Sequence, residues 1–560
     1  MWPDVSERNC RAAESIAARS LIIIVCSIGG KVKLFYGMLI NINAAKCVGI
    51  DAMPVTVEVD ITKGIGIHLV GLADVAVKES LLRTVTALQA LDFHIPGKKI
   101  VINLAPADMH KNGSGYDLPI ALGIIAASGQ KELPGLGRYL IMGELGLDGS
   151  VRPVQGALPY AELAIKQGLE GCILPRRSAM ETVEYRQHTR IYGVGDIPEV
   201  LRILEESGPA EDLLVWNSTE YRERLCTMRQ SGGAYGDNRM DFAEIIGQEG
   251  AKRGAEIAVA GGHNLIMVGP PGSGKSSLAK AMAGILPPMT LEESLETSKI
   301  YSISGACGPV AGLMRLRPFR APHYSASLPA IIGGGGGDSI LPGEVSLAHN
   351  GVLFLDEFTQ MPKSVIEALR GPIEDRCVTI SRLRSKISYP ASFMLVAACN
   401  PCPCGYYGEG DRCTCTVGQR VGYLSKLSGP ILDRIDIHLW MHPVETGKLV
   451  NRVRGESSAT VAARVLQARE IQKERFRGTG ISTNSGMDSR MLEKFCPLDD
   501  RCKELMEKLI RRQGLSARAF SRIIKVARTI ADLVGCAAIR PESLAEAAGY
   551  RFLDRQDIGQ

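Results

Sequence analysis

Residues Gly269, Pro270, Pro271, Gly272, Ser273, Gly274, Lys275 and Ser276 run together as G-x-x-x-x-G-K-S/T, a pattern whose chemistry is the grip of a nucleoside triphosphate. Glycines at this spacing let successive backbone N–H groups curl around phosphate oxygens, while the helix that follows turns its positive end toward them. Lys275 is placed to reach the β- and γ-phosphates, the Ser276 hydroxyl to ligate Mg²⁺, and Ser277 closes the binding stretch. Two acids, Asp356 and Glu357, end the apolar run VLFLDE. Asp356 suits the Mg²⁺ hydration shell, and Glu357 suits polarisation of an attacking water. Asn400 ends a further apolar run, FMLVAACN, and can orient the same water. The plainer reading of each is a glycine-rich turn or a solvated strand end, and it loses ground because the elements occur together.

Four cysteines form a second constellation, Cys402-Pro-Cys404 and Cys413-Thr-Cys415. Thiolates this close can complete a tetrahedral, structural Zn²⁺ site; the alternative is four reduced thiols in a turn, since one-residue gaps are tighter than common zinc spacings. A third constellation is CVTISRLRSKISYPASF, two alternating segments joined at Leu383 to Ser385. It predicts a β-hairpin with Arg382, Arg384 and Lys386 at its tip. Such cations can follow a phosphate backbone irrespective of base sequence, or they can be an ordinary solvated tip.

These groups need elements to hold them. The apolar strand NLIMV before the phosphate loop and the helix SSLAKAMAG after it predict a parallel-sheet nucleotide-binding unit spanning 241–450. Beyond it, apolar residues at helical spacing (VAARVLQAREI, LIRRQGLSARAFSRIIKVARTIADLVG, ESLAEAAGY) predict a helical domain over 451–560. Ahead of it, short strands (VTVEVD, KIVINLA, YLIMGEL, GCILP) separated by helical stretches at Ala73 to Ala90, Leu118 to Ala127 and Ala157 to Gln167 predict an α/β domain over 38–215. A polar, glycine-bearing linker occupies 216–240, and residues 1–37 are set aside as an extension, disordered or upstream of the true start.

A chain of 560 residues implies two to four domains, and 45% apolar with 22% charged residues excludes a wholly disordered or fibrous protein. The net charge of +5 is too small to argue for nucleic acid unless cations cluster locally. The apolar run Leu21 to Ile28 is far too short to span a bilayer, and no export signal stands out. Fifteen cysteines without such a signal fit a reducing cytoplasm.

The phosphate loop, the VLFLDE strand, Asn400, the segment Leu432-Asp-Arg-Ile-Asp436 and Leu515-Ser-Ala-Arg518 follow the order of AAA+ ATPases with helix-2 and pre-sensor insertions. More narrowly, RPFRAPHYSAS, PGEVSLAHNGVLFLDE, NPCPCGYYG, SGPILDRIDIH and LSARAFSRIIKVARTIADL resemble the signatures of the ComM/YifB family of magnesium-chelatase-like ATPases, from about residue 38 to the C-terminus. The resemblance implies an ATP- and Mg²⁺-dependent, DNA-translocating branch-migration motor, assembled as a homo-hexameric ring and supporting recombination or natural transformation. It implies that Arg434 is the finger acting on the adjacent subunit's nucleotide, that Arg518 is the second sensor on the lid, and that Ile246 and Gly247 hold adenine through backbone contacts. It also implies that the hairpin faces the ring's pore; Arg320, His323, Tyr324 and the glycine run Gly333 to Gly337 belong to a second pore element or to a structural loop. A chelatase-type motor remodelling a protein partner for metal insertion is the alternative.

The front domain resembles the Lon-protease/S5-like fold in APADMHKNGSGYDLPIAL and MGELGLDGSVRPVQGALPYAELA. Overlaying those segments puts Gly115 where a protease of that fold has its serine and Leu158 where it has its lysine, so no peptidase activity is expected. Ser114 is one position off, Lys111 is not the equivalent base, and His110 and Asp117 are read as structural.

Overall fold

The computed structural model describes residues 21–24, 27–28, 31–32, 35–72, 74–111, 113–205, 210–223, 240–306, 312–335, 340–382, 385–409, 412–427, 429–444, 447 and 454–554. Two compact units divide the chain: Met1–Tyr235 with Ser294–Met314 and Gly336–Leu341, and Gly236–Glu293 with Arg315–Gly335 and Pro342–Gln560. Within the stretch set aside as an extension, backbone strands Leu21–Ile24 and Phe35–Met38 pair antiparallel.

The front unit is built on a seven-stranded mixed sheet. Ile40–Val48 and Asp51–Thr62 form an antiparallel hairpin, Lys99–Ala105 pairs with the second of these, and Tyr139–Ile141, Gly171–Pro175 and Arg190–Val194 run parallel to one another. Helices Val75–Ala90, Asp117–Ala127 and Ala157–Lys166 fall where the periodicity places them. The second is apolar all round and buried, as a helix sunk in a core must be. Its Gly123 sits so close to the sheet that a Cβ would lie 2.5 Å from Val59 Cγ2. Asp117, in the first turn of that helix, is buried against Arg83 at 2.9 Å and accepts the Leu145 N–H, which is the structural role its burial demands.

Ser294–Met314 interrupts the nucleotide-binding sequence yet clusters with the front unit, so the span 241–450 is not one compact body. The reason is a set of buried polar contacts. Gly156 N–H donates to the Ser302 carbonyl at 3.0 Å, Lys299 pairs with Glu162, and the Ser302 hydroxyl donates to Glu181 at 2.6 Å.

The second unit carries five parallel strands in the order Phe319–Arg320, Val352–Leu355, Met394–Cys399, Leu265–Val268, Ile437–Trp440. Parallel sheets are covered on both faces, which is why these strands read as near-continuous apolar runs. Alternate residues point to opposite faces: Ile266, Val268, Leu353, Leu355, Leu395 and Ala397 enter one core, and Leu265, Met267, Val352, Phe354, Val396 and Leu439 the other. The second core also takes Val461, Val465 and Ala468 from helix Ser458–Arg475 and Ile523, Ala527 and Ile530 from helix Ala517–Leu533. The C-terminal helices are therefore fused to the sheet through one apolar layer, without a contact boundary at residue 450.

Burial pushes the Glu181 carboxyl up from its ordinary 4.5 to about 7, against the opposing Ser302 hydroxyl. A carboxyl raised on folding contributes stability that is fully present below about 4.5 and is lost as pH rises through about 7, roughly 3 kcal/mol in all. Urea titrations between pH 4.5 and 8 should show the natural chain losing more front-unit stability than Glu181→Gln as pH rises, by a difference of roughly 3 kcal/mol.

Candidate functional site

The phosphate loop leaves the C-terminal end of Leu265–Val268 and enters helix Lys275–Gly284. Gly272 (φ +78°) and Gly274 (φ +89°) occupy the left-handed region that only glycine adopts without strain, and this is what curls the N–H groups inward. A Cβ on Gly269 would lie 2.6 Å from the Met441 carbonyl. Lys275 Nζ donates to the carbonyls of Gly269 (2.7 Å) and Pro270 (2.9 Å) and reaches Asn400 Oδ1 at 3.4 Å. Burial lowers the lysine's pKa, a penalty that a phosphate in the loop would offset.

Asp356 and Glu357 follow Val352–Leu355, and Asn400 follows Met394–Cys399, the strand lying between Val352–Leu355 and Leu265–Val268. All these groups therefore meet at one edge of the sheet. Ser276 Oγ donates to Asp356 Oδ2 at 2.9 Å, so a hydroxyl and a carboxylate already converge as a Mg²⁺-binding pair would. Glu357 sits at φ +48° with its N–H on Asp356 Oδ1 at 2.9 Å. A non-glycine residue held in that region is strained backbone at a functional position.

Ile246 is half-buried and Gly247 has φ +67°. The next residue, Gln248, was missed from sequence. It too is left-handed (φ +61°), and its side-chain amide donates to the carbonyls of Ser273 (3.1 Å) and His442, pinning the Ile246–Gly247 turn against the phosphate loop. An uncharged amide outside any motif offered no signal.

Arg434 and Arg518 lie elsewhere. Arg434 follows Gly429–Leu432 and precedes Ile437–Trp440, so it stands at the N-terminal edge of the sheet; Asp436 N–H, next to it, donates to the Asn264 carbonyl just ahead of the phosphate-loop strand. At about 3.3 Å per residue, the strand separates that edge from the phosphate loop by roughly 13 Å. Arg434 is buried, paired with Glu374 at 2.6 Å and bonded to the Pro430 carbonyl, while its Nε has no partner among the described residues. Arg518 begins helix Ala517–Leu533, capped by the Ser516 hydroxyl on Ala519 N–H, and is exposed with Asp433 at 3.5 Å. Both arginines line one cavity of about 310 Å³ with Glu374 and Arg522. Asp436 anchors this corner: despite burial, Arg522 at 2.8 Å and His263 at 3.2 Å hold its carboxyl well below the carboxylate range, and His263 in turn meets Thr529 at 2.8 Å.

Cys402, Cys404, Cys413 and Cys415 converge, their sulfurs all within 4.8 Å of one another. The bonded pairs are 3.3, 3.8 and 3.7 Å apart. Four sulfurs about 2.3 Å from a tetrahedral Zn²⁺ stand roughly 3.8 Å from one another, so the donor set fits that ion. The knuckle packs on the phosphate loop, since a Cβ on Gly405 would lie 3.0 Å from Pro271 Cδ.

Cys377–Arg382 and Ser385–Pro390 pair as an antiparallel hairpin, with Arg382 opposite Ser385. Lys386 is exposed; Arg384 and the side chain of Arg382 lie outside the described residues. Arg320 is engaged by Glu344 through two 2.6 Å contacts, whereas His323 and Tyr324 are exposed, their rings tilted 35° to each other with centroids 4.3 Å apart. Of the glycine run, 333–335 are described and 336–337 are not.

In the front unit, Leu158 is buried and a Cβ on Gly115 would lie 2.9 Å from Met142 Cε. Ser114 Oγ donates to Glu144 and Lys111 Nζ to the Pro106 carbonyl, so these two are engaged apart from each other. The His110 carbonyl accepts from Lys46. Among the described residues, no helix is long and apolar enough to cross a membrane.

A parallel sheet with phosphate loop, strand-end acids and polar amide on one edge defines an ATPase module of the AAA+ type. Residues 241–449 match the family described as magnesium chelatase, subunit ChlI, residues 455–551 its C-terminal part, and residues 57–178 the family described as subunit ChlI of Mg-chelatase. The chain is 42% identical to YifB of Escherichia coli strain K12 over 92% of its own length and 97% of that protein's. It is 40% identical to competence protein ComM of Haemophilus influenzae over 90% of its length and 96% of ComM's. The chain belongs to the ComM/YifB family of magnesium-chelatase-like ATPases.

Lys275→Ala should abolish ATP binding measured by a fluorescent nucleotide analogue, whereas Glu357→Gln should bind normally and lose at least about a hundredfold in turnover. Normal hydrolysis by Glu357→Gln would remove Glu357 from the role of water activator.

Proposed function

We propose that this chain is the subunit of a homo-hexameric, ATP-driven ring motor that acts on DNA, a branch-migration helicase serving recombination or natural transformation. The observation that carries the ring is the opposition of the two sheet edges. Groups that bind and cleave the triphosphate sit at the C-terminal edge, and the two arginines sit at the N-terminal edge, too far to serve the same chain's nucleotide. A neighbour related by rotation supplies its far edge to the loop of the next subunit.

In this reading ATP lies in the Gly269–Ser276 loop, with Lys275 on its β- and γ-phosphates and the Ile246–Gly247 turn, braced by Gln248, against adenine. Ser276 and Asp356 would hold Mg²⁺, which would supply charge to offset that of the phosphates. Glu357 takes the proton of the attacking water while Asn400 orients it; the γ-phosphorus gains that oxygen and loses the bridging oxygen, which leaves with ADP. Arg434 and Arg518 of the adjoining subunit offset the charge that builds on the equatorial oxygens. Structural Zn²⁺ held by Cys402, Cys404, Cys413 and Cys415 would stiffen the wall against Pro271. The front unit, with Gly115 and Leu158 where a Lon-like protease has its dyad, acts as a scaffold.

DNA as the substrate draws support from the hairpin, on which Lys386 is exposed, and from the name of the relative ComM, a competence protein. The chelatase descriptions of the matching families favour the second reading, a motor that remodels a protein partner for metal insertion. ATPase rate with and without single-stranded or forked DNA separates them. The DNA motor is expected to speed up several-fold and to lose that response when Arg382, Arg384 and Lys386 are replaced by alanine; indifference to DNA would favour the second reading.

Arg434→Ala should bind ATP but turn over at least about a thousandfold more slowly. Mixing it with Glu357→Gln chains should restore part of the hydrolysis, because an Arg434→Ala active site beside a Glu357→Gln chain then meets an intact arginine from its neighbour. Absence of rescue would place Arg434 in its own chain's site.

A further inference from the structure

A cavity of about 530 Å³ in the second unit is floored by the N-terminal edge of the sheet: Asn264, Gly351, Phe393 and Asp436 each precede a strand. That volume lies in the range of small-ligand sites. It is on the opposite edge from Gly269–Ser276, and it adjoins the Arg434 cavity through Glu374, Arg522 and Lys525.

Five cations line it. Two are matched by carboxylates, Arg317 by Glu293 at 2.7 Å and Arg522 by Asp436 at 2.8 Å. Of the other two acids of the wall, Glu374 is engaged by Arg434, and Asp488 caps the Met491 N–H while its charge also acts on Lys525. Three cations of the wall have no direct ion pair among the described residues. Among the described residues, Arg376 donates only to the Phe393 carbonyl (3.2 Å), Arg469 only to the Val259 carbonyl (3.2 and 2.7 Å), and Lys525 only to the Ser485 carbonyl (3.0 Å). A carbonyl satisfies a proton but not a charge, and like charges crowd this wall: Arg522 and Arg376 act on Lys525, and Arg317 acts on Arg469. Burial, with Arg522 beside it, lowers the Lys525 ammonium to about 8, and burial lowers Arg469 to about 10. Arg376 also holds a left-handed backbone, φ +55°, which aromatic, aliphatic or cationic side chains rarely adopt.

We propose that this cavity is a second anion site, built for a phosphate-class group and separate from the phosphate loop. The ligand chemistry is a multiply charged phosphoryl group, arriving free or on a nucleotide, that Arg376, Arg469 and Lys525 grip from three elements of the chain.

The test uses the full chain carrying Lys275→Ala, which disables the phosphate loop, and isothermal titration with inorganic pyrophosphate. One saturable site is expected. Arg376→Asn, which suits the left-handed backbone, should weaken it about tenfold or more, as should Lys525→Met, each checked for a native circular dichroism spectrum. Two variants keep the test alive if one fails to fold. A parallel titration with ADP tells the sources apart: binding sensitive to the same substitutions means that the phosphate can arrive on a nucleotide, and no binding means that it arrives free. Absence of saturable pyrophosphate binding, or binding that the folded variants leave unchanged, overturns the proposal.

Discussion

Polarity of the parallel sheet is the constraint on which the rest depends. Five strands pointing the same way give the second unit two chemically different edges. At the C-terminal edge, loops follow strands and can present N–H groups, acids and an amide to a phosphate; this is where open α/β sheets bind ligands in general. At the N-terminal edge chain segments enter strands, and here the sequence has concentrated cations: Arg434, Arg518, Arg522, Lys525, Arg376. A sheet with mixed strand directions would scatter both sets. In the proposed ring, this one-way order lets a single surface patch read the nucleotide held by another.

Holding the cationic edge together requires a buried polar network. Asp436 accepts from Arg522, from His263 and from the Asn264 N–H, and His263 passes the connection to Thr529 in the helix that starts with Arg518. Such a cluster is costly to bury unless every member is matched, and here the members come from a strand entrance, a helix end and the C-terminal helix. Its effect is positional. Displacing the helix that carries Arg518 means uncovering the Asp436 carboxylate and removing Ile523, Ala527 and Ile530 from the core they share with the sheet. The C-terminal helices thus move as part of the sheet's own packing.

Much of this was legible in the sequence, for reasons that can be named. The phosphate loop, its strand and its helix are local: glycine spacing and apolar periodicity encode them within about twenty residues. The hairpin Cys377–Arg382 and Ser385–Pro390 and the front-unit helices were equally local. What stayed hidden is non-local. Gln248 bonds Ser273 and His442 across the fold, and the pairing of Arg434 with Glu374 joins positions sixty residues apart. The departure of Ser294–Met314 to the front unit depends on Gly156, Glu162 and Glu181, none of which has a pattern linking it to that segment. Motifs report what a stretch of chain can do; partners chosen in three dimensions leave no spacing to read.

The engagement of Arg434 sharpens the functional reading. A guanidinium has five donors, and here one arm meets Glu374, another meets the Pro430 carbonyl, and Nε is buried with no partner among the described residues. Leaving a buried donor unmet costs about 1–3 kcal/mol, so the side chain is not at its best in this arrangement. A γ-phosphate carries more negative charge than one carboxylate and can take a bidentate fork, and Glu374 itself is half-exposed, a weak competitor for the fork. In the proposed ring the exchange of Glu374 for a neighbour's γ-phosphate would be favourable while ATP is intact and would reverse once that phosphate has left. In that ring the ion pair that a single chain displays would be the resting half of a two-position switch, and the unmet Nε would keep it from being a permanent one.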